Sequence, residues 1–163
     1  MFFEHPELGS QDYGENAASE GTTTRAFGYA SHTEGSDTRG IGNESHAEGC
    51  RTFATTYAHA EGTSTKAYGR TSHAEGKGVS VHGFAAHGEG QGVKVYGTAS
   101  HGEGSRTIAG DPKNSDFLYN HSLTSPVAAH SEGIDTHALS KGSHTGGKDT
   151  VAGRRAYRIT SME

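Results

Sequence analysis

A chain of 163 residues is long enough for one domain, but only 30% of them are hydrophobic, 25 are glycine and none is tryptophan. A conventional globule of this composition would bury too little apolar surface to offset chain entropy. The formal charge of −5 with histidine neutral gives no basic patch for nucleic acid or an anionic membrane, and no apolar run is long enough for membrane insertion as a helix. Twelve histidines make that charge conditional: protonating all of them moves it from −5 to +7, so the surface changes sign below neutral pH.

At the start, Met1-Phe2-Phe3-Glu4-His5-Pro6 carries an acid and a proline where a signal peptide needs a basic start and an apolar run. Residues 1–9, with Phe2, Phe3 and Leu8, read as a cap or docking segment. Ser10 to Thr23 is a degenerate first copy of a repeat, with Ala18 where later copies place histidine. The repeat then becomes explicit as SHTEG, SHAEG, AHAEG, SHAEG, AHGEG, SHGEG and AHSEG, which put His32, His46, His59, His73, His87, His101 and His130 in register. The first six histidines are 14, 13, 14, 14 and 14 residues apart, and a weakened copy, Ser143-His144-Thr145-Gly146-Gly147, follows His130 by 14 more. Fixed short periodicity in a glycine-rich chain points to an ordered solenoid rather than disorder.

Each 14-residue unit reads Thr-x-Ala-large-Gly-x-x-Ser-His-Ala-Glu-Gly-x-x, two short strands separated by glycine-marked corners. The fold class expected is all-β, a parallel β-roll solenoid of two-strand repeats over residues 10–110 and 127–153. Small residues such as Thr65/Ala67 and Ser72/Ala74 share one face of each strand and must form the interior, because nothing larger recurs there. Corner glycines such as Gly28, Gly69, Gly35 and Gly76 suit positive φ or close backbone approach. The period breaks at Thr55-Thr56-Tyr57, a one-residue deletion that a corner can absorb, and fails over residues 111–126, an excursion bounded by Pro112 and Pro126. Residues 154–163 leave the repeat and read as a final strand or the start of a further module. The single cysteine, Cys50, excludes an internal disulfide.

Strand alternation forces the remaining positions outward in four columns that climb about 4.8 Å per copy. One strand carries Arg25, Arg39, Lys66 and Lys94 beside Tyr13, Phe27, Ile41, Tyr68, Tyr96 and Leu139. The other carries the histidines and, two residues on, Glu34, Glu48, Glu61, Glu75, Glu89 and Glu103, with Glu132 continuing the column. A regular aromatic stripe is rarely left in water, so these columns are expected to form the interface of an oligomer of identical chains. Like charges stacked at strand spacing repel, so the glutamates are expected to meet the basic column of a neighbouring chain.

With the repeat laid out, the chain resembles the head repeats of YadA-type trimeric autotransporter adhesins. It resembles still more the SHAEG-rich repeats of phage and prophage tail or neck appendage proteins. The resemblance spans roughly residues 10 to 153 and is carried by units such as Thr65-Lys66-Ala67-Tyr68-Gly69-Arg70-Thr71-Ser72-His73-Ala74-Glu75-Gly76. It implies a left-handed roll, a homotrimer, a virion location, and other tail or appendage proteins as partners through the termini. In such phage proteins the repeats often precede a self-cleaving chaperone, and Arg155-Ala156-Tyr157-Arg158-Ile159-Thr160-Ser161 looks similar to the segment leading into it. An adhesin needs a signal peptide and a membrane anchor, and neither is seen, which favours a virion part. A surface adhesin or self-assembling extracellular filament is the alternative. Phe117, Leu118 and Tyr119 of the excursion are candidates for contact with a host cell-surface glycan or protein.

Imidazole and carboxylate at a His-x-Glu spacing suit zinc, nickel or iron, which makes His32, His46, His59, His73, His87, His101 and His130 candidate metal ligands, set against a plain solvated polar ladder. No other cofactor is implied. Catalysis needs one preorganised constellation in a pocket, and a uniform surface lattice offers none, so no enzyme is expected. The glycines spell neither a dinucleotide nor a phosphate loop, and the Gly-Gly-x-Gly-x-Asp calcium repeat is missing from the sequence.

Overall fold

The computed structural model describes residues 9–112 and 128–153. Residues 1–8 of the cap expected over 1–9, most of the excursion with Phe117, Leu118 and Tyr119, and the segment 154–163 lie outside the described residues. Within them the chain is all-β, a parallel solenoid whose repeats build one sheet of ten two-residue strands and a second of nine strands, eight of five residues and the last, His144–Thr145, of two. The unit around the fourth histidine is representative. Lys66–Ala67 forms the short strand, Tyr68 to Ser72 turns the first corner, His73–Lys77 forms the long strand, and Gly78 with Val79 leads into the next rung.

Every strand pairs with its counterpart one repeat away, in parallel and in register, so His73 lies beside His59 and His87, and Glu75 beside Glu61 and Glu89. The two breaks in the period leave this register intact. His46 still pairs with His59 across the one-residue deletion. His101 pairs with His130 although the two are separated by the whole excursion, and Ala109 pairs with Ala138. At the deletion, the Thr55 hydroxyl donates to the Tyr68 carbonyl at 3.0 Å, while Tyr57 takes a left-handed φ of 56°.

The interior is the one that the small side chains require. Ala26, Ala47, Ala54, Ala60, Ala67, Ala74, Val79, Val81, Val93 and Val95 are fully buried, as are Thr24, Thr38, Thr65 and Thr107. At the last rung Thr150 and Ala152 are only half-buried, because no further rung covers them among the described residues. Opposing strands match in volume. Where one sheet contributes the valines at 79, 81, 93 and 95, the other contributes Gly88 and Gly102; a methyl added at Gly88 would lie 2.8 Å from Val81 Cγ2 and 3.1 Å from Val95 Cγ2.

The corners divide the roles expected of glycine. Gly76 has a φ of +109°, and a Cβ there would lie 2.2 Å from the carbonyl oxygen of Gly90 on the next rung. Gly69 has no positive φ but the same crowding, since its Cβ would fall 1.9 Å from the Gly83 oxygen. Left-handed backbone also occurs where glycine was not expected. Ala30, Glu44, Thr71, Ala85 and Ala99 at one corner, and Asp37, Arg51, Ser64 and Arg106 at the other, have φ between 49° and 58°. Such a conformation costs roughly 1–2 kcal/mol per residue. Each N–H then reaches a carbonyl of the preceding rung, as Glu44 does to Tyr29 at 2.7 Å and Arg51 to Ser36 at 2.8 Å, so a ladder of hydrogen bonds offsets the strain.

The serine of the repeated phrase has a task that periodicity does not show. Ser31, Ser45 and Ser72 each donate a hydroxyl hydrogen bond to the corner glycine three residues earlier, at 2.8, 2.7 and 2.6 Å. These bonds satisfy buried carbonyls at the first corner.

Two substitutions test this packing. Gly76→Ala combines backbone strain of about 1–3 kcal/mol with the clash against the next rung, and is expected to lower the melting temperature by many degrees; an unchanged melt followed by circular dichroism would contradict the rung contact. Gly88→Ala overpacks the core at a cost of about 1–3 kcal/mol, and Val81→Ala leaves a void costing on the order of 2 kcal/mol. In denaturant unfolding the double variant should lose clearly less than the two single losses added, because the new methyl fills the vacated space. Simple additivity would contradict the match.

Candidate functional site: a histidine–glutamate ladder and an aromatic edge

Because the long strands stack in register, their outward side chains repeat along the solenoid axis. The histidine rings form a continuous stack from His32 to His144, with neighbouring centroids 4.7 to 4.9 Å apart. Two residues along each strand, the glutamate lies on the same face, and Nε2 to Oε2 distances are 3.5 Å for His46–Glu48, 3.7 Å for His59–Glu61 and His101–Glu103, and 3.8 Å for His87–Glu89. These pairs are about two-thirds buried, and their spacing exceeds a hydrogen bond. Burial, followed by the neighbouring imidazoles of His46 and His73, lowers the His59 pKa from its ordinary value against the opposing pull of Glu61 and Glu48.

At the C-terminal end the ladder changes. Gly146 stands where earlier rungs have glutamate, and Glu132 uses both carboxylate oxygens, Oε2 at 3.9 Å from His130 Nε2 and Oε1 at 3.5 Å from His144 Nε2. A Cβ at position 146 would lie 2.9 Å from Glu132 Oε1, so the glycine leaves room for this bridge.

The opposite sheet carries the aromatic and basic columns, but neither is uniform. The register runs Gln11, Arg25, Arg39, Phe53, Lys66, Ser80, Lys94, Ile108, His137, Val151. Apart from Arg25 and Arg39, the expected cations are therefore separated by uncharged side chains, which relieves repulsion along the column. In the adjacent column Tyr13 stacks on Phe27 at 4.6 Å, and His82 sits between Tyr68 and Tyr96 at 4.8 and 5.0 Å. Tyr13 is 57%, Phe27 41% and Ile41 46% exposed, whereas Tyr68, Tyr96 and Leu139 are half-buried. The neighbouring corner adds exposed Tyr29, Tyr57 and Phe84, with the Arg70 guanidinium 5.0 Å over the Tyr57 ring. Sequence reasoning missed these three; large residues next to the corner glycines Gly28 and Gly83 are the signal that marks two of them.

A separate clamp spans the excursion. Arg106 and Asp135 occupy equivalent seats on rungs that flank it, joined by Nε to Oδ1 at 2.6 Å and Nη2 to Oδ2 at 2.5 Å. The hydrogen bond from Arg106 lowers the Asp135 pKa and raises that of Arg106.

Sequence expectation and structure thus agree on which residues share each face. All seven candidate histidines join one ladder, Glu34 to Glu103 run beside them, and the aromatic and basic residues stand on the other sheet. Glu48, Glu61, Glu89, Glu103 and Glu132 each lie within 4 Å of the histidine of their own strand, a pairing the expectation of intersubunit cations did not include. Among the described residues no helix is long and apolar enough to cross a membrane. No protein-family model matches the chain, and no curated protein matches its sequence.

His82 supplies a pH test that is independent of the ladder. Burial first, then the positive charges of Lys66 and Lys94, lower its pKa from 6.5 to about 4. The folded state therefore resists protonation that the unfolded chain accepts. The resulting stability is complete above about pH 6.5 and is lost as pH falls toward 4. An NMR titration should place the His82 midpoint near 4, and His82→Gln should flatten the stability slope between pH 6.5 and 4; a midpoint near 6.5 would contradict the burial argument.

Proposed function

We propose that this chain is a structural, non-enzymatic fibre or appendage protein of a phage or prophage particle, assembled as a homotrimer. The observation that carries this reading is the exposed aromatic edge on the short-strand sheet. Tyr13, Phe27 and Ile41, with Tyr29, Tyr57 and Phe84 at the adjoining corner, leave a long apolar stripe on a chain whose own core is made of Ala, Val and Thr. Burying that stripe against identical chains would add the apolar area a narrow solenoid lacks. Repetition favours self-association, because any contact one rung makes is repeated by the others. The uniformity of the His–Glu ladder supports a non-catalytic role, since the same pair recurs on successive rungs rather than converging in one pocket.

In the trimer the glutamates from Glu34 to Glu103 face Arg25, Arg39, Lys66 and Lys94 of a neighbouring chain, one carboxylate oxygen remaining beside the chain's own histidine. The excursion containing Phe117, Leu118 and Tyr119 contacts a host cell-surface glycan or protein, and the termini join other appendage proteins. The roll is left-handed and located in the virion.

Sedimentation equilibrium should give three times the 17.0 kDa chain mass at micromolar concentration. Lys66→Glu and Glu75→Lys should each weaken the trimer, and the double charge exchange should recover part of the loss. A stable folded monomer, or no effect of either reversal, would overturn the assembly.

A further inference from the structure

The histidine–glutamate ladder leaves one chemical demand unmet. Nε2 of His46, His59, His73, His87, His101 and His130 is buried and has no hydrogen-bond partner. The nearest carboxylate oxygens are 3.5 to 3.9 Å away where the pairs are close, too far for a hydrogen bond. Two ligands about 2.0–2.1 Å from a tetrahedral zinc ion are about 3.4 Å apart, so the shorter of these gaps is close to the span of one metal centre.

The next rung supplies a third ligand. His46, Glu48 and His59 bring their ligand atoms within 4.8 Å of one another, and the same holds for His59/Glu61/His73, His73/Glu75/His87, His101/Glu103/His130 and His130/Glu132/His144. Two imidazoles and a carboxylate with a fourth position open form a ligand set suited to zinc and its late first-row neighbours, not to calcium or magnesium. At Glu132 the geometry is most developed, one carboxylate reaching both imidazoles across the space left by Gly146.

We propose that this face binds divalent transition-metal ions, each held by His, the Glu two residues on, and the His of the next rung. Adjacent triads share a histidine, and one Nε2 cannot serve two ions. Occupancy therefore alternates along the ladder, and at most three of the five triads are filled at once. All three ligands come from one chain, so the site does not depend on the trimer, and metal content and oligomeric mass test different claims.

The test uses zinc as the probe and the full chain stripped with chelator. Isothermal titration and elemental analysis should give close to three zinc ions per chain, with calcium and magnesium giving none. Glu75→Gln removes the central triad, after which only two non-overlapping triads remain, so the content should fall from three to two. His82→Gln, which lies off the ladder, should leave it at three. In the unmodified protein, zinc should shift the Nε2 resonances of the ladder histidines and not those of His82, a readout independent of how Glu75→Gln folds. Zinc content unchanged by Glu75→Gln, no zinc retained, or equal shifts at His82 would overturn the proposal and leave a plain imidazole–carboxylate ladder.

Discussion

In-register parallel hydrogen bonding between rungs is the interaction on which the rest of this molecule depends. It stacks every residue on its own counterpart one repeat away, so a property of one repeat becomes a property of a column. The rungs can approach only because the backbone is bare at the corners. Gly69 and Gly76 each stand against the backbone of the following rung, leaving no room for a Cβ. Side chains in the interior must then fit a narrow space between two sheets, which is why alanine, threonine and valine fill it and why glycine faces valine at positions 88 and 102. The core supplies modest apolar burial per residue, and the backbone ladder supplies the repetition that makes this sufficient.

The sequence shows a great deal of this because stacking turns periodicity into geometry. Two-residue alternation assigns Thr65 and Ala67 inward and Lys66 and Tyr68 outward, and the structure agrees. What remained illegible depends on dihedral angles and rotamers. Nothing in the spelling of Thr71 or Glu44 announces a left-handed backbone, since ladder hydrogen bonds rather than residue preference hold it there. The Ser72 hydroxyl could as well have faced a neighbouring serine as the Gly69 carbonyl. The His-x-Glu spacing sets Glu75 on the histidine face, but its approach to the His87 ring of the next rung as well as to His73 depends on side-chain rotamers, which a consensus motif does not encode. The proposed threefold assembly would have no signature within one chain beyond the apolar edge that it would cover.

Stacking also explains why the two outer faces differ in chemistry. A column of full positive charges one rung apart is costly, and Phe53, Ser80 and Ile108 dilute the basic column. Imidazole escapes that cost when neutral, so it can be repeated on every rung from His32 to His144, its rings in contact and a carboxylate alongside. The aromatic column tolerates His82 between two tyrosines for the same reason, since the neutral ring stacks like its neighbours.

The deletion at Thr55-Thr56-Tyr57 and the long insertion after Ala109 fall at the same corner, between a short strand and the following long one. The opposite corner, from Glu75 through Gly76 to Val79 and its equivalents, keeps a constant length throughout the described residues. One edge of the solenoid thus behaves as a fixed spine and the other as an open port, where chain length changes without disturbing the strands on either side. New surface loops can be grafted there one rung at a time, so that what the solenoid displays can vary while its stacked strands stay the same.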